Sequence, residues 1–139
     1  MEEYIIREPI TIMYVTAATF PDGVQSAFDQ LEKSVPDFAD RTLYGFSDMN
    51  HKGEIVYRAA IAEDHNGEAA ELGLNSFTIT PGEYKSETIM DWYNHKEQIG
   101  EAFQRLMKEP RMDLTFPCLE LYKNDDEMMC LVRLNEKKK

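Results

Sequence analysis

Several features that would assign this sequence to a large protein class are scarce or missing. No apolar run approaches the roughly 20 residues that span a bilayer. The first nine residues, MEEYIIREP, lack the basic and apolar regions of a signal peptide, so we expect a cytoplasmic protein. Only two cysteines are present, Cys118 and Cys130. In a reducing compartment they are most simply two thiols, and the sequence does not decide whether they pair.

Basic side chains are also few. The sequence has 15 Lys and Arg residues against 26 Asp and Glu residues, for a formal net charge of −11. Its one basic run is Lys137–Lys139, whereas nucleic-acid binders usually present a basic patch. We therefore expect no direct nucleic-acid binding. The acidity suits ordinary solubility, and it would also suit docking on a basic, DNA-handling protein partner.

The common catalytic and cofactor motifs are absent as well. The sequence has no Gly-x-Ser-x-Gly elbow, no P-loop and no Gly-x-Gly-x-x-Gly turn. Its three histidines, His51, His65 and His95, lack the i, i+4 spacing that metal sites favour. We expect no metal ion, haem or other cofactor.

The rest of the composition is typical of one folded domain. The chain has 139 residues, 42% of them hydrophobic, which is enough to bury a core without metal or disulfide help. One apolar pattern occurs twice at helical spacing, and the second set lies 75 positions after the first (residue 24 to residue 99). The two sets are Val24, Ala27, Phe28 and Leu31, and Ile99, Ala102, Phe103 and Leu106.

Strand-like segments flank the first helical pattern. Ile10–Ala18 is rich in β-formers and precedes the helix. The helix is expected to end near Ser34, because Pro36 disfavours helical geometry in the residue before it. Thr42–Ser47 and Glu54–Ala62 follow as two strands.

The second helical pattern has the same surroundings. Asn94 and Glu97 resemble a capping box, and the helix is expected from about His95 to Lys108. The predicted strands around it are Phe77–Ile79, Tyr84–Met90, Cys118–Lys123 and Glu127–Leu134. The sequence thus predicts a duplicated strand–helix–strand–strand unit, with repeat one at about 5–62, a crossover at 63–76 and repeat two at about 77–135. Clefts at the junction of two such copies often bind small ligands.

Glu120 is the most unusual residue of the last predicted hairpin. Side chains alternate along a strand, so Cys118, Glu120 and Tyr122 share one face and Leu119 and Leu121 the other. If the leucines pack under the helices, Glu120 faces the junction between the repeats. Burying an unpaired carboxylate is expensive.

A structural role for Glu120 is equally open at this point. The side chain would then lie on a solvated face of the sheet or pair with Arg58 or Arg133.

Four motifs occur in a telling order: IVYRAA at 55–60, TITPGEY at 78–84, the helix Ile99–Leu106, and PCLELY at 117–122. Together they resemble the gyrase-inhibitor-like small-molecule-binding domain, over about Ile5 to Leu134. That domain is also the effector-binding half of AraC-type and MerR-type transcription activators. No helix-turn-helix segment accompanies it in this sequence, so the resemblance is to a stand-alone form.

The resemblance implies an α+β fold: an antiparallel sheet with two helices on one face and a central ligand groove. It places Glu120 at the groove floor, where its carboxylate would pair with the positive charge of a lipophilic cation. Tyr57 matches the strand tyrosine of the family, and Tyr122 and Trp92 would add aromatic walls. The implied partner is a small hydrophobic or cationic molecule, and cation–π contacts would contribute about 0.5–2 kcal/mol each.

Each aromatic also has a plainer interpretation. Tyr57 would be a core aromatic, Tyr122 a rim residue of the sheet, and Trp92 a plug at the helix start. Met128 and Met129 would adapt to varied ligands or, more commonly, fill gaps in the core.

Two other functions stay open. Some stand-alone relatives of the family hydrolyse strained, cyclopropane-containing compounds. In that case Glu120 and Tyr57 would be the catalytic pair, with Trp92 holding the apolar substrate. The family name also suggests an inhibitor that binds a DNA-processing enzyme such as gyrase.

Overall fold

A computed structural model of the protein describes residues 1–136, so the basic run at 137–139 lies outside the described residues. This part of the chain is an α+β structure with eight strands and three α-helices. In chain order the elements are β1 (Glu2–Ile6), β2 (Ile10–Thr16), α1 (Val24–Ser34), β3 (Leu43–Met49), β4 (Ile55–Ala62), α2 (Glu68–Leu72), β5 (Asn75–Ile79), β6 (Gly82–Met90), α3 (Glu97–Leu106), β7 (Cys118–Tyr122) and β8 (Glu127–Arg133). Short 3-10 segments lie at Phe38–Asp40 and Trp92–Asn94.

The chain divides into two compact units. The first unit is Pro9–Ile79, and the second joins Met1–Glu8 to the chain from Thr80 onward. The strand pairings within each unit are antiparallel. None of the helices in residues 1–136 is both long and apolar enough to cross a membrane.

In the first unit the strands pair in the order β5, β2, β4, β3. Helix α1 covers one face of this sheet because its apolar residues recur at helical spacing. Leu31 packs against Met13 and Ile61, and Ala27 packs against Tyr57. The helix ends at Ser34, as the following proline predicts.

In the second unit the strands pair in the order β1, β6, β8, β7. Helix α3 lies on one face and buries Ala102 and Leu106 against Met128 and Val132. This packing uses the apolar stripe that the repeated sequence pattern predicts for the second helix.

In each unit a strand, a helix and two further strands follow one another: β2, α1, β3 and β4 in the first, and β6, α3, β7 and β8 in the second. In both, the strand before the helix pairs with the last strand of the set.

Three local features differ from the sequence-based expectations. Strand β5, expected to open the second copy, pairs with β2 and belongs to the first unit. Strand β1 was not predicted, and it pairs with β6. The capping box does not form: Asn94 donates its amide to Asp91 Oδ1 at 2.9 Å, and α3 begins at Glu97 without a side-chain cap.

Candidate functional site

Glu120 lies on the face of the second unit's sheet that α3 covers. Across the strands it is opposite Cys130, and Cys130 is in turn opposite Glu87. Directly opposed residues share a face of the sheet, and Cys130 belongs to the core beneath α3. The condition that Leu119 and Leu121 pack under the helices is therefore not met for α3. The alternation of side chains along a strand shows which residues share a face of the sheet. It does not show which of the two faces a helix covers.

The Glu120 carboxylate is buried and hydrogen-bonded. Glu120 is 7% exposed, and the Tyr122 hydroxyl donates to its Oε1 at 2.5 Å. The contact follows from strand geometry, because residues two apart in β7 point the same way. Burying a carboxylate is costly unless it is hydrogen-bonded, and a bond to a charged acceptor is stronger than a neutral one. The phenol thus stabilises a charge inside the sheet.

Trp92 extends this arrangement. Its ring lies edge-on to the Tyr122 ring, with centroids 4.8 Å apart and planes at 62°. The indole Nε1 donates to the main-chain oxygen of Asn124 at 3.0 Å. Trp92 is half-buried and packs against the α3 core. We call Glu120, Tyr122 and Trp92 the Glu120 cluster.

Tyr57 lies in the first unit, on the face covered by α1. It is 3% exposed and packs with Ala27 and Ala59. Its ring stacks on Phe20 at 5.7 Å and tilts against Phe28 at 6.4 Å. The structure thus brings three of the four sequence-predicted ligand residues together in the second unit and places Tyr57 in the core of the first.

The two methionines after the last turn are core residues. Met128 is fully buried in the α3 core. Met129 is 5% exposed and lies opposite Leu121, on the other face of the sheet. Both positions fit the plainer interpretation of gap filling.

Glu87 and Arg105 are part of the same surroundings, and no sequence motif singles them out. Arg105 of α3 donates to both oxygens of Glu87, with Nη2–Oε1 at 2.7 Å and Nε–Oε2 at 2.9 Å. Only the strand register, which the sequence does not specify, places Glu87 in the row with Cys130 and Glu120.

Cys130 lies between two carboxylates in that row. Burial raises the pKa of its thiol, and the negative charges of Glu120 and Glu87 raise it further. The thiol therefore stays protonated and unreactive at neutral pH. Neither Cys130 nor the half-buried Cys118 forms a disulfide in residues 1–136.

The histidines occupy surface positions. His65 Nε2 lies 2.7 Å from Glu71 Oε2, and this contact raises the pKa of the imidazole. His95 lies 3.6 Å from carboxylate oxygens of both Asp91 and Glu97. Within residues 1–136 no group of three or more His, Cys, Asp or Glu side chains could hold a metal ion.

A shallow, open depression of about 330 Å³ lies on the first unit, where β2 begins and β4 ends. Polar residues such as Glu63, Asp64 and Asn66 line much of it. Its lining includes none of the sequence-predicted site residues.

Comparison with known proteins finds relatives of this structure but not of this sequence. No family model and no curated protein matches the sequence. The solved structure of SAV2435 bound to tetraphenylphosphonium is similar, with a TM-score of 0.62 at 12% identity over 97% of this chain and 94% of that one.

Two further solved structures are also similar. An integron cassette protein from Vibrio cholerae has a TM-score of 0.67 at 10% identity, over 96% of this chain and 95% of that one. A hydrolase from Listeria innocua has a TM-score of 0.58 at 13% identity, over 96% and 90%. At these identities the likeness shows a shared fold alone.

Proposed function

We propose that this protein contains a gyrase-inhibitor-like domain that binds a small lipophilic cation at the Glu120 cluster. The observation that carries the proposal is the buried Glu120 carboxylate, hydrogen-bonded by Tyr122 and adjoining the ring of Trp92. A carboxylate, a phenol and an indole within one cluster supply both the charge and the aromatic surface that such a cation needs.

The strength of the interaction depends on keeping the charge out of water. At a separation of about 4 Å, two unit charges attract by about 4 kcal/mol at an effective dielectric constant of 20, against about 1 kcal/mol in water. The hydrogen bond from Tyr122 lowers the cost of burying the carboxylate. Each aromatic face in contact with the cation would add about 0.5–2 kcal/mol.

The comparisons support this ligand class by analogy of fold. SAV2435, which shares the fold, is bound to tetraphenylphosphonium, a lipophilic cation. Function belongs to sites rather than to folds, so the proposal depends on the Glu120 cluster of this chain.

The proposal also includes the domain organisation. We take residues 1–139 as one domain that arose by duplication of a strand–helix–strand–strand unit. Support comes from the matching element order and pairing in the two units.

The test is a titration with tetraphenylphosphonium, followed by the fluorescence of Trp92, the sole tryptophan. We expect saturable quenching in the wild type and at least tenfold weaker binding in Glu120→Gln. A tenfold change in affinity corresponds to about 1.4 kcal/mol. Glu87→Gln is the matched control: it removes the same charge from the same face, but from the pair with Arg105. Its affinity should stay within about threefold of the wild type.

Triphenylphosphine oxide, a neutral compound with similar aromatic bulk, separates charge from shape. It should bind wild type and Glu120→Gln equally. Equal tetraphenylphosphonium affinity in the wild type and Glu120→Gln would contradict the proposal.

A second function has one specific observation in its favour. The Glu120–Tyr122 hydrogen bond is a carboxylate–phenol pair that could transfer a proton to or from a reacting centre, and a protein of the same fold is a hydrolase. Under this proposal the chain hydrolyses small strained hydrophobic compounds, with Tyr122 as the partner of Glu120. The Glu120–Tyr57 pair stays a prediction. Turnover of a cyclopropane-containing substrate, abolished in Tyr122→Phe with binding retained, would support it.

A further inference from the structure

Asn124 organises the turn between β7 and β8. Its side-chain Oδ1 accepts from the main-chain nitrogens of Asp126 and Glu127, both at 2.8 Å. Its own nitrogen donates to the Glu127 oxygen at 3.3 Å. An asparagine whose side-chain oxygen accepts from main-chain nitrogens two and three residues later stabilises a tight turn. The main-chain oxygen of Asn124 is therefore fixed in direction.

That fixed oxygen holds Trp92. The indole Nε1 donates to it at 3.0 Å, so the 3-10 segment Trp92–Asn94 and the β7–β8 turn are joined through one side chain. The two segments are otherwise far apart in the sequence, since residues 92 and 124 are separated by 32 positions.

The position of the indole explains why this contact matters for the site. The Trp92 ring lies against Tyr122, whose hydroxyl is bonded to Glu120. Glu120 is 7% exposed in this arrangement. A ligand that is to pair with the carboxylate needs the side chains around it to move, and Trp92 is half-buried whereas Glu120 is buried.

We propose that Trp92 is a lid over the Glu120–Tyr122 pair and that Asn124 is the positioning residue that latches it closed. This inference rests on the proposed function, since it regulates access to the same site. Opening breaks the indole–Asn124 bond and frees the ring to turn from Tyr122 onto the entering cation. If only a fraction of the molecules is open at rest, the apparent affinity for the cation equals the affinity of the open form multiplied by that fraction. A less firmly held latch increases the open fraction and therefore raises the association rate.

The experiment compares Asn124→Ala with Asn124→Asp. Alanine removes the oxygen that accepts the two turn bonds, whereas aspartate keeps it and is expected to restore the turn. In the ligand-free proteins, NMR can follow the single indole N–H. Its solvent exchange should be about fivefold faster in Asn124→Ala than in the wild type, because the main-chain oxygen that accepts from the indole is held less firmly once the two turn bonds are lost. Asn124→Asp should match the wild type.

The second readout is stopped-flow binding of tetraphenylphosphonium. The observed rate in the wild type should level off at high ligand concentration, where opening of the lid becomes limiting. In Asn124→Ala the plateau should rise about fivefold. Trp92→Phe, which keeps a ring but cannot donate, should show the same faster association by calorimetric kinetics.

The outcomes separate the two proposals. If Glu120→Gln weakens binding while Asn124→Ala leaves indole exchange and association unchanged, the latch is wrong and the cation site stands. A rate in the wild type that rises linearly to the highest concentrations also overturns the latch. If tetraphenylphosphonium binds to none of the proteins, the cation site fails, and a lid for it fails as well.

Discussion

Acid should destabilise the first unit through one buried ion pair. Glu68 of α2 is 3% exposed and accepts from Arg41 at both oxygens, each at 2.7 Å. The main-chain nitrogen of Asp64 donates to its Oε1 at 2.8 Å. The Arg41 hydrogen bonds are the main reason that the pKa of Glu68 falls from 4.5 to about 2.

The size and sign of the effect follow from proton linkage. A carboxyl group whose pKa is lowered by folding stabilises the protein above the unfolded pKa of 4.5. That contribution is lost as the pH falls toward about 2. One decade of proton affinity corresponds to about 1.4 kcal/mol, so the ion pair should contribute about 3 kcal/mol of pH-dependent stability between pH 7 and pH 2.

Other carboxylates titrate in the same range, so the informative quantity is a difference between variants. Urea unfolding of the wild type and Glu68→Gln, followed by far-ultraviolet circular dichroism from pH 7 to pH 2, gives the free energy of unfolding of each. The gap between the two should shrink by about 3 kcal/mol over this range. Glu32→Gln, which changes an exposed glutamate of α1, is the matched control, and its gap should stay constant. A change below about 0.5 kcal/mol for Glu68→Gln would refute the reasoning.

Further predictions concern the thiols and the glycines. A thiol reagent should modify Cys118 in the native protein and Cys130 only after unfolding. Mild oxidation should not link them, because diagonal neighbours in a sheet lie roughly 7–8 Å apart. Gly82→Ala should destabilise by about 1–3 kcal/mol in thermal melts, because φ is +148° and a Cβ would lie 3.1 Å from Arg133 Nη2. Gly100→Ala, in open space on α3, should stabilise by about 0.5–1 kcal/mol. The opposite order of the two melting temperatures, or a disulfide, would contradict these assignments.

The elements that the sequence predicts well are those with a strong local signal. Helix α1 ends at Ser34 because a proline follows two residues later, and its apolar stripe meets the sheet as the spacing indicates. The same periodicities predict the mixture of strands and helices, whereas the antiparallel sheet was expected from the family resemblance. Strand β1 has no comparable signal: it is a short acidic segment, and its partner β6 is about 80 residues away.

The composition of the candidate site could be predicted from the sequence, but its arrangement could not. Alternation places Glu120 and Tyr122 on one face of β7, and the structure joins them by a hydrogen bond. Which face α3 covers depends on the packing of Met128 and Cys130 in the neighbouring strand, and that is a long-range property. The salt bridge between Arg41 and Glu68 lies beyond local sequence reasoning for the same reason.

The order of assembly follows from where the strands pair. In the first unit Ile10 is opposite Ile79, so pairing of β2 with β5 brings together the two points at which the chain leaves that unit. Pairing of Ile6 with Gly82 would otherwise close a loop of about 75 residues, at an entropic cost that grows with (3/2)RT ln n. Once β2 and β5 have paired, only a few residues on each side separate β1 from β6. A polypeptide emerging from the ribosome can thus complete the first unit early. Strand β1 remains unpaired until its partner β6 is synthesised, some 80 residues later.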